Sequence, residues 1–284
     1  MTKVKLGRTY PRQRGPLWWN AAALFAAGFA VAGCSPRLGP PAGSAAATPA
    51  VVADASLARD DYVARTLAER PPAGVGSRHL VADGTGFYVT GDEVLTNFHV
   101  AGKCGAITVG NGTEGEEVVA TVVAGDPAAD LALLRTERGV AAPARFAASA
   151  QAAPSAVVGY PERGLPVRIA ELSPISALPG AAGTTALHYS FDGEVRRGNS
   201  GSPVLDASGA VLGVVVMKVD TVAVYQKTGA VVDNVGIAIS NRAVGDFLRT
   251  NRVDVAAATP ASPLPPASIL DKAHGFVRQI GCWN

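Results

Sequence analysis

The stretch PVLDASGAVLGVVVMKV, residues 203–219, decides the predicted fold. It contains two apolar runs, Pro203–Asp206 and Val211–Val219, joined by the turn residues Asp206–Gly209. Short runs rich in β-branched residues and separated by a tight turn are typical of paired antiparallel strands. The stretch therefore predicts a β-hairpin in an all-β protein.

The same alternation of short apolar runs and turns extends from residue 77 to about residue 240. About a dozen short strands at this spacing favour barrels or a sandwich. The predicted strands are His79–Ala82, Gly86–Thr90, Glu93–Thr96, Ala106–Val109, Glu117–Val123, Leu131–Arg135, Ala156–Tyr160, Val167–Leu172, Ala186–Phe191, Pro203–Asp206, Val211–Val219 and Val235–Ser240.

Composition excludes several classes of protein. Of 284 residues, 48% are hydrophobic and 17% charged, which is the opposite of a disordered chain. The net charge of +2 owes much to five basic residues near the N-terminus, and without them 20 basic residues stand against 23 acidic ones. A domain with a net charge so close to zero is unlike nucleic-acid-binding proteins, which carry basic patches.

No spacing of His, Cys or acidic residues suggests a metal site, and we expect no cofactor.

The N-terminus predicts export. Residues 1–33 have a basic start followed by an apolar segment, Leu17–Ala32, which is shorter than the roughly 20 residues that span a bilayer. Val31–Cys34 resembles a bacterial lipobox, so we expect acylation at Cys34. Because Ser35, not Asp, follows the cysteine, the usual sorting rule predicts an outer-membrane lipoprotein facing the periplasm. Alternatively, Ala30–Ala32 is an ordinary cleavage site that would release a soluble protein.

The rest of the chain divides by composition. Residues 34–70 predict a Pro/Ala-rich linker and a short helix, residues 71–253 the β domain, and residues 254–284 a second Pro/Ala linker with a tail. At the end of the β domain, Asn241–Asn251 predicts a helix with Asn241 as its N-cap and an apolar stripe at Val244, Phe247 and Leu248.

Three segments carry residues suited to nucleophilic catalysis. Ser200 lies in GNSGSP, where glycines permit a tight turn that exposes a hydroxyl, although such a stretch alone is more often just a turn. His99 follows a predicted strand. Asp130 directly precedes an apolar strand, so we expect it to be partly buried and paired, whereas Asp126 is the more solvated carboxylate. We interpret the other histidines, at 79, 188 and 274, as structural.

Together these segments resemble a known family. The order His, Asp, Ser, with TNFHV (96–100), DPAADLALL (126–134) and GNSGSPV (198–204), resembles trypsin-like serine proteases of the bacterial HtrA-type branch. GTGFYV (84–89) and NVGIAISNRAVGDFL (234–248) also resemble that branch, over about residues 77–253. The resemblance implies two six-stranded antiparallel barrels and a short C-terminal helix. Because only about 30 residues follow, we expect no PDZ domain.

The resemblance also implies a mechanism. His99 would be the general base, Asp130 would orient it, and Ser200 would attack a peptide carbonyl to form an acyl-enzyme. The backbone N–H groups of Gly198 and Ser200 would form the oxyanion hole. The expected function is an exported serine endopeptidase that acts on polypeptides in envelope quality control or processing. The alternatives are a binding or chaperone module with little turnover, and an esterase.

Two residue types give expectations about specificity and bonding. The resemblance to trypsin-like proteases implies that the residue six before the serine lies at the base of the primary specificity pocket. That residue is Glu194, which either selects basic side chains in substrates or is a solvated loop charge, and we favour the second interpretation. The strand Val214–Met217, expected to form a wall of the specificity pocket, has bulky side chains, which favour small apolar side chains in the substrate.

Cys104 and Cys282 are expected to form a disulfide, the alternative being two free cysteines.

Overall fold

The computed structural model describes residues 71–113, 115–148, 152–161, 170–178 and 187–284. The predicted signal peptide, the lipidation site at Cys34 and the helix expected in residues 56–70 lie outside these ranges. Within the described ranges, no helix has both the length and the apolar character needed to cross a membrane.

Twelve strands in this part of the chain close into two barrels of six strands each. All the strand pairings are antiparallel, which confirms the predicted fold class. The strands are β1 Leu80–Tyr88, β2 Glu93–Thr96, β3 Ala106–Gly110, β4 Val118–Asp126, β5 Leu131–Thr136, β6 Pro154–Gly159, β7 Glu171–Ala177, β8 His188–Gly193, β9 Pro203–Asp206, β10 Val211–Lys218, β11 Val235–Ser240 and β12 Val277–Trp283.

The first barrel has the order β1-β12-β3-β4-β5-β2, so its sixth strand comes from the C-terminus. The predicted strands His79–Ala82 and Gly86–Thr90 are one strand, β1, which pairs with β12 along most of its length. Val277, Ile280 and Trp283 of β12 are buried. The domain boundary expected at residue 253 is therefore wrong, because the supposed tail completes the first barrel.

The second barrel has the order β10-β11-β8-β7-β6-β9, and five of its strands lie close to the predicted ones. The sixth, β7, covers Glu171–Ala177 and not Val167–Leu172, and residues 167–169 lie outside the described ranges. Its hairpin from β9 to β10 closes with the Gly209 N–H donating to the Asp206 carbonyl, as residues 203–219 predicted. Phe191, Val204 and Val215 are fully buried inside this barrel.

Four helices join the strands in the described ranges. They are α1 Phe98–Ala101, α2 Thr221–Thr228, α3 Asn241–Thr250 and α4 Pro266–His274. Helix α3 buries Val244, Phe247 and Leu248 as predicted, but its N-cap is Ser240 and not Asn241, because the Ser240 hydroxyl accepts from the Ala243 N–H. Helix α2 was not predicted. It buries no residue, so its sequence carries no amphipathic pattern.

The predicted disulfide joins Cys104, just after α1, to Cys282 in β12. The two cysteines are 178 residues apart in sequence. The bond therefore ties the segment that carries His99 to the C-terminal strand of the same barrel. It does not act on a loose tail, because β12 is already paired with β1 and β3.

Loss of this disulfide is expected to destabilise the protein strongly. In the chain-entropy model a closed loop of this length lowers the free energy of the folded state, relative to the unfolded state, by up to about 5 kcal/mol. We expect urea unfolding of a Cys104→Ala/Cys282→Ala variant to show a loss approaching that size. Non-reducing peptide maps check the bond itself. Separately alkylated Cys104 and Cys282 peptides, from protein made in an oxidising compartment, would contradict it.

Candidate active site

The three predicted residues come together from different segments. His99 lies in α1 after β2, Asp130 immediately precedes β5, and Ser200 lies in the loop between β8 and β9. All three line one cleft of about 750 Å³, whose wall includes Val216 and Met217 of β10. Strands of both barrels thus supply the segments that meet at this cleft.

His99 and Asp130 form a close pair. The His99 Nδ1 atom is 2.7 Å from Asp130 Oδ2, and the His99 backbone N–H donates to Asp130 Oδ1 at 2.9 Å. One carboxylate thus contacts both the ring and the main chain of the histidine. The Asp130 side chain is 23% exposed, against 49% for His99, so the ring reaches solvent while the carboxylate is mostly covered. This arrangement favours a proton on Nδ1 and leaves Nε2 as the acceptor.

Asp130 has an unusual backbone conformation that the neighbouring segment stabilises. Its φ is +54°, in the left-handed region that Asp and Asn adopt more readily than most residues. Its carbonyl accepts from the Phe98 N–H at 3.1 Å and from Asn97 Nδ2 at 3.0 Å. Asn97, which is fully buried, was not identified from the sequence. It positions Asp130 against α1.

Asp126, the other candidate carboxylate, lies elsewhere. Its Oδ1 atom accepts from the backbone N–H groups of Ala128 and Ala129, as a turn-forming aspartate does. The structure thus brings Asp130, and not Asp126, to His99.

The loop that carries Ser200 depends on two glycines. Gly198 and Gly201 have φ values of +84° and +86°. A Cβ atom on Gly201 would lie 1.9 Å from the Thr85 carbonyl oxygen, so only glycine fits there. Asn199 Oδ1 accepts from the Arg196 N–H at 3.0 Å and closes the loop on itself. The backbone conformation of the loop therefore requires the two glycines of the GNSG pattern.

Thr85 of β1 holds this loop from the other barrel. The Thr85 N–H donates to the Ser200 carbonyl at 2.8 Å, and the Thr85 hydroxyl donates to the Gly198 carbonyl at 2.7 Å. The same hydroxyl accepts from the Tyr160 N–H at 3.0 Å. Thr85 is fully buried, and the sequence identified GTGFYV only by resemblance. A lone threonine in a strand gives no chemical signal of such a role.

Removal of the Thr85 hydroxyl is expected to loosen the loop. A Thr85→Val variant keeps the side-chain volume but leaves the Gly198 carbonyl and the Tyr160 N–H without their partner, at a cost of about 1–3 kcal/mol in the free energy of unfolding. We expect a lower kcat with a smaller change in KM, and recovery of both stability and kcat in Thr85→Ser. Urea unfolding and peptide hydrolysis measure the two effects. A wild-type kcat in Thr85→Val would refute the positioning role.

The Ser200 hydroxyl donates to the Val216 carbonyl at 3.1 Å, and it forms no hydrogen bond with His99.

Two backbone N–H groups of the same loop are available to donate to a ligand. Among the residues that the structure describes, nothing accepts from the backbone N–H of Gly198 or of Ser200. These two N–H groups are the pair that the sequence predicted as an oxyanion hole.

Other predicted residues are placed differently. Glu194 is 54% exposed, pairs with Arg196 at 2.7 Å and does not line the cleft, which favours the interpretation as a solvated charge. His188, interpreted as structural, lines the same cleft as Ser200. His79 and His274 lie outside it. In the described part of the chain, no three His, Cys, Asp or Glu side chains form a group that could hold a metal ion.

Two tyrosines have shifted pKa values. Burial raises the pKa of Tyr160 to about 12, an effect that the positive charge of Arg278 partly offsets. Burial also raises the pKa of Tyr189. Both phenols therefore remain neutral at physiological pH, and neither supplies a base to the cleft.

Comparison with known proteins finds a matching domain family and related sequences. Residues 84–214 match the trypsin-like peptidase domain. The chain is 32% identical over 203 residues to the uncharacterized protein y4bJ of Sinorhizobium fredii, covering 70% of this chain and 32% of that protein. It is 36% identical over 183 residues to the serine protease Rv3671c of Mycobacterium tuberculosis, covering 59% of this chain and 44% of that protein.

A crystal structure of the Rv3671c protease in its active form matches with a TM-score of 0.45 and 27% identity, over 80% of this chain and 97% of that one. The chain spans less than half the length of either curated relative. The matched residues, 84–214, therefore form a trypsin-like peptidase domain, the class that the sequence predicts.

Proposed function

We propose that this protein is a serine endopeptidase that uses His99, Asp130 and Ser200. The observation that carries the proposal is the two-point contact of Asp130 with His99, in the cleft that also exposes Ser200. A carboxylate that fixes both the ring and the main chain of a histidine preorganises a general base. The sequence relationship to a serine protease supports the same conclusion.

The proposed reaction begins when the Ser200 hydroxyl turns from Val216 toward His99 Nε2. The imidazole takes the proton as Oγ attacks the peptide carbonyl, and Asp130 stabilises the resulting imidazolium. The free N–H groups of Gly198 and Ser200 donate to the oxyanion. His99 then protonates the leaving amine, and a water molecule activated by the same imidazole hydrolyses the acyl-enzyme.

A second candidate function is a binding or chaperone module with little turnover. The bond from the Ser200 hydroxyl to the Val216 carbonyl favours it, because a serine held away from its base is not activated. An esterase is the third candidate. Incubation with casein and with a short-chain nitrophenyl ester separates the three, with Ser200→Ala as control. Casein fragments that Ser200→Ala does not produce support the endopeptidase. Ester turnover alone supports the esterase, and casein binding without either product supports the binding module.

We also propose that the protein belongs to the HtrA-type branch and acts in the bacterial envelope, in protein quality control or processing. The segments TNFHV and GNSGSPV support the branch. The apolar segment Leu17–Ala32 supports export. The disulfide between Cys104 and Cys282 supports it independently, because disulfides persist in oxidising compartments.

Acylation at Cys34 would anchor the exported protein in the outer membrane, facing the periplasm. A Cys34→Ser variant is expected to shift from the membrane fraction to the soluble fraction or to remain unprocessed. Cell fractionation and labelling with a fatty-acid analogue measure this, with the wild-type protein as the lipid-bearing control. A mature protein with an unmodified N-terminus at Gly33 would contradict the anchor.

A further inference from the structure

The cleft carries an excess of positive charge. Arg196, Arg197 and Lys218 line it together with the candidate triad. Asp130 is the single acidic side chain among the described residues of its lining, and that carboxylate is engaged by His99. The charge that remains for a ligand is therefore cationic.

Two of these cations have no partner of their own. Arg196 is neutralised by Glu194, with an Nη2–Oε1 distance of 2.7 Å. By contrast, Arg197 and Lys218 are exposed, and neither forms an ion pair in the part of the chain that the structure describes. An exposed cation at the edge of a cleft is free to meet a carboxylate that arrives with a ligand.

The positions of the two cations relate them to the reacting group. Arg197 lies three residues before Ser200, on the loop that Gly198 shapes. Lys218 ends β10, two residues after Val216, whose carbonyl accepts from the Ser200 hydroxyl. An extended polypeptide that crosses Ser200 would thus pass both the loop with Arg197 and the strand end with Lys218.

We propose that the cleft selects polypeptide segments with acidic side chains beside the scissile bond, and that Arg197 and Lys218 determine this specificity. The inference rests on the proposed endopeptidase function. Val195, Val216 and Met217 give the same cleft apolar walls, which suit an apolar residue at the bond itself. The preference is opposite to the one that Glu194 would give if it were the specificity residue.

The test uses three peptides that are identical except for Glu, Gln or Lys on both sides of one apolar residue. For the wild-type protein we expect kcat/KM to decrease from the Glu to the Gln to the Lys peptide. Exposed ion pairs contribute about threefold each, so the Glu peptide should exceed the Gln peptide by roughly tenfold. The ratio should decrease at high salt. The ratio of kcat/KM for the Glu peptide to kcat/KM for the Gln peptide should fall to about one in Arg197→Gln/Lys218→Gln. The same ratio should remain at its wild-type value in Arg242→Gln, a matched control at an exposed arginine outside the cleft.

Equal kcat/KM values for the Glu and Gln peptides would overturn the inference while leaving the proposed function in place. If the wild-type protein cleaves none of the peptides, the proposed function fails, and binding to Ser200→Ala then decides the inference. Tighter binding of the Glu peptide by fluorescence anisotropy, lost when Arg197 and Lys218 are also replaced, supports the acidic preference. Equal affinities refute it.

Discussion

Replacement of Ser200 or His99 by alanine is expected to abolish peptide hydrolysis and leave the fold intact. The two side chains act as one unit, so loss of either removes the same step, at a cost of roughly 10⁶-fold in kcat. His99 is exposed and Ser200 is half-buried in the cleft, so urea unfolding should change little. The measurement is kcat on a fluorogenic peptide, accompanied by circular dichroism.

His274→Ala is the matched control for His99→Ala, because His274 is exposed and lies outside the cleft. It should retain wild-type kcat. Residual hydrolysis above a few per cent in Ser200→Ala would mean that another group is the nucleophile.

The second large effect concerns the choice between two carboxylates. Asp130→Asn is expected to lower kcat by about 10⁴-fold, because an amide that donates to Nδ1 forces the proton onto Nε2, the wrong tautomer. The backbone bond from the His99 N–H to Oδ1 can survive this change, so stability should decrease much less than kcat.

Asp126→Asn is the matched control. It keeps an acceptor oxygen for the Ala128 and Ala129 N–H groups and does not contact His99. Near wild-type kcat is expected. The reverse pattern, with Asp126→Asn inactive and Asp130→Asn active, would show that the wrong carboxylate has been assigned.

Much of the fold could be predicted because the second barrel is local in sequence. Its strands follow one another with turn residues between them, so each apolar run, such as Pro203–Asp206, can be identified alone. The first barrel could not be completed in this way. Strand β12 is far from its partners β1 and β3 in sequence, and pairing at such a distance leaves no local pattern. Local patterns therefore predict two strands, His79–Ala82 and Gly86–Thr90, where the structure has the single strand β1.

The same distinction between local and distant sequence signals applies to the candidate site. His99, Asp130 and Ser200 could be found because their residue types and order are unusual together. Asn97 and Thr85 could not, because their roles are hydrogen bonds to the backbone of residues distant in sequence. The bond from the Ser200 hydroxyl to the Val216 carbonyl is a choice of side-chain rotamer, which no sequence pattern specifies.

The measurement that tests the central claim most directly is labelling with a fluorophosphonate followed by peptide mapping. The probe reacts with an activated serine, so we predict a single adduct on Ser200, with labelling lost in His99→Ala and retained in Asp126→Asn. Ser202, two residues away, is fully buried and should remain unlabelled. An adduct on a different serine, or labelling of Ser200 that is as fast in His99→Ala as in the wild-type protein, would contradict the assignment of His99 and Ser200 as base and nucleophile.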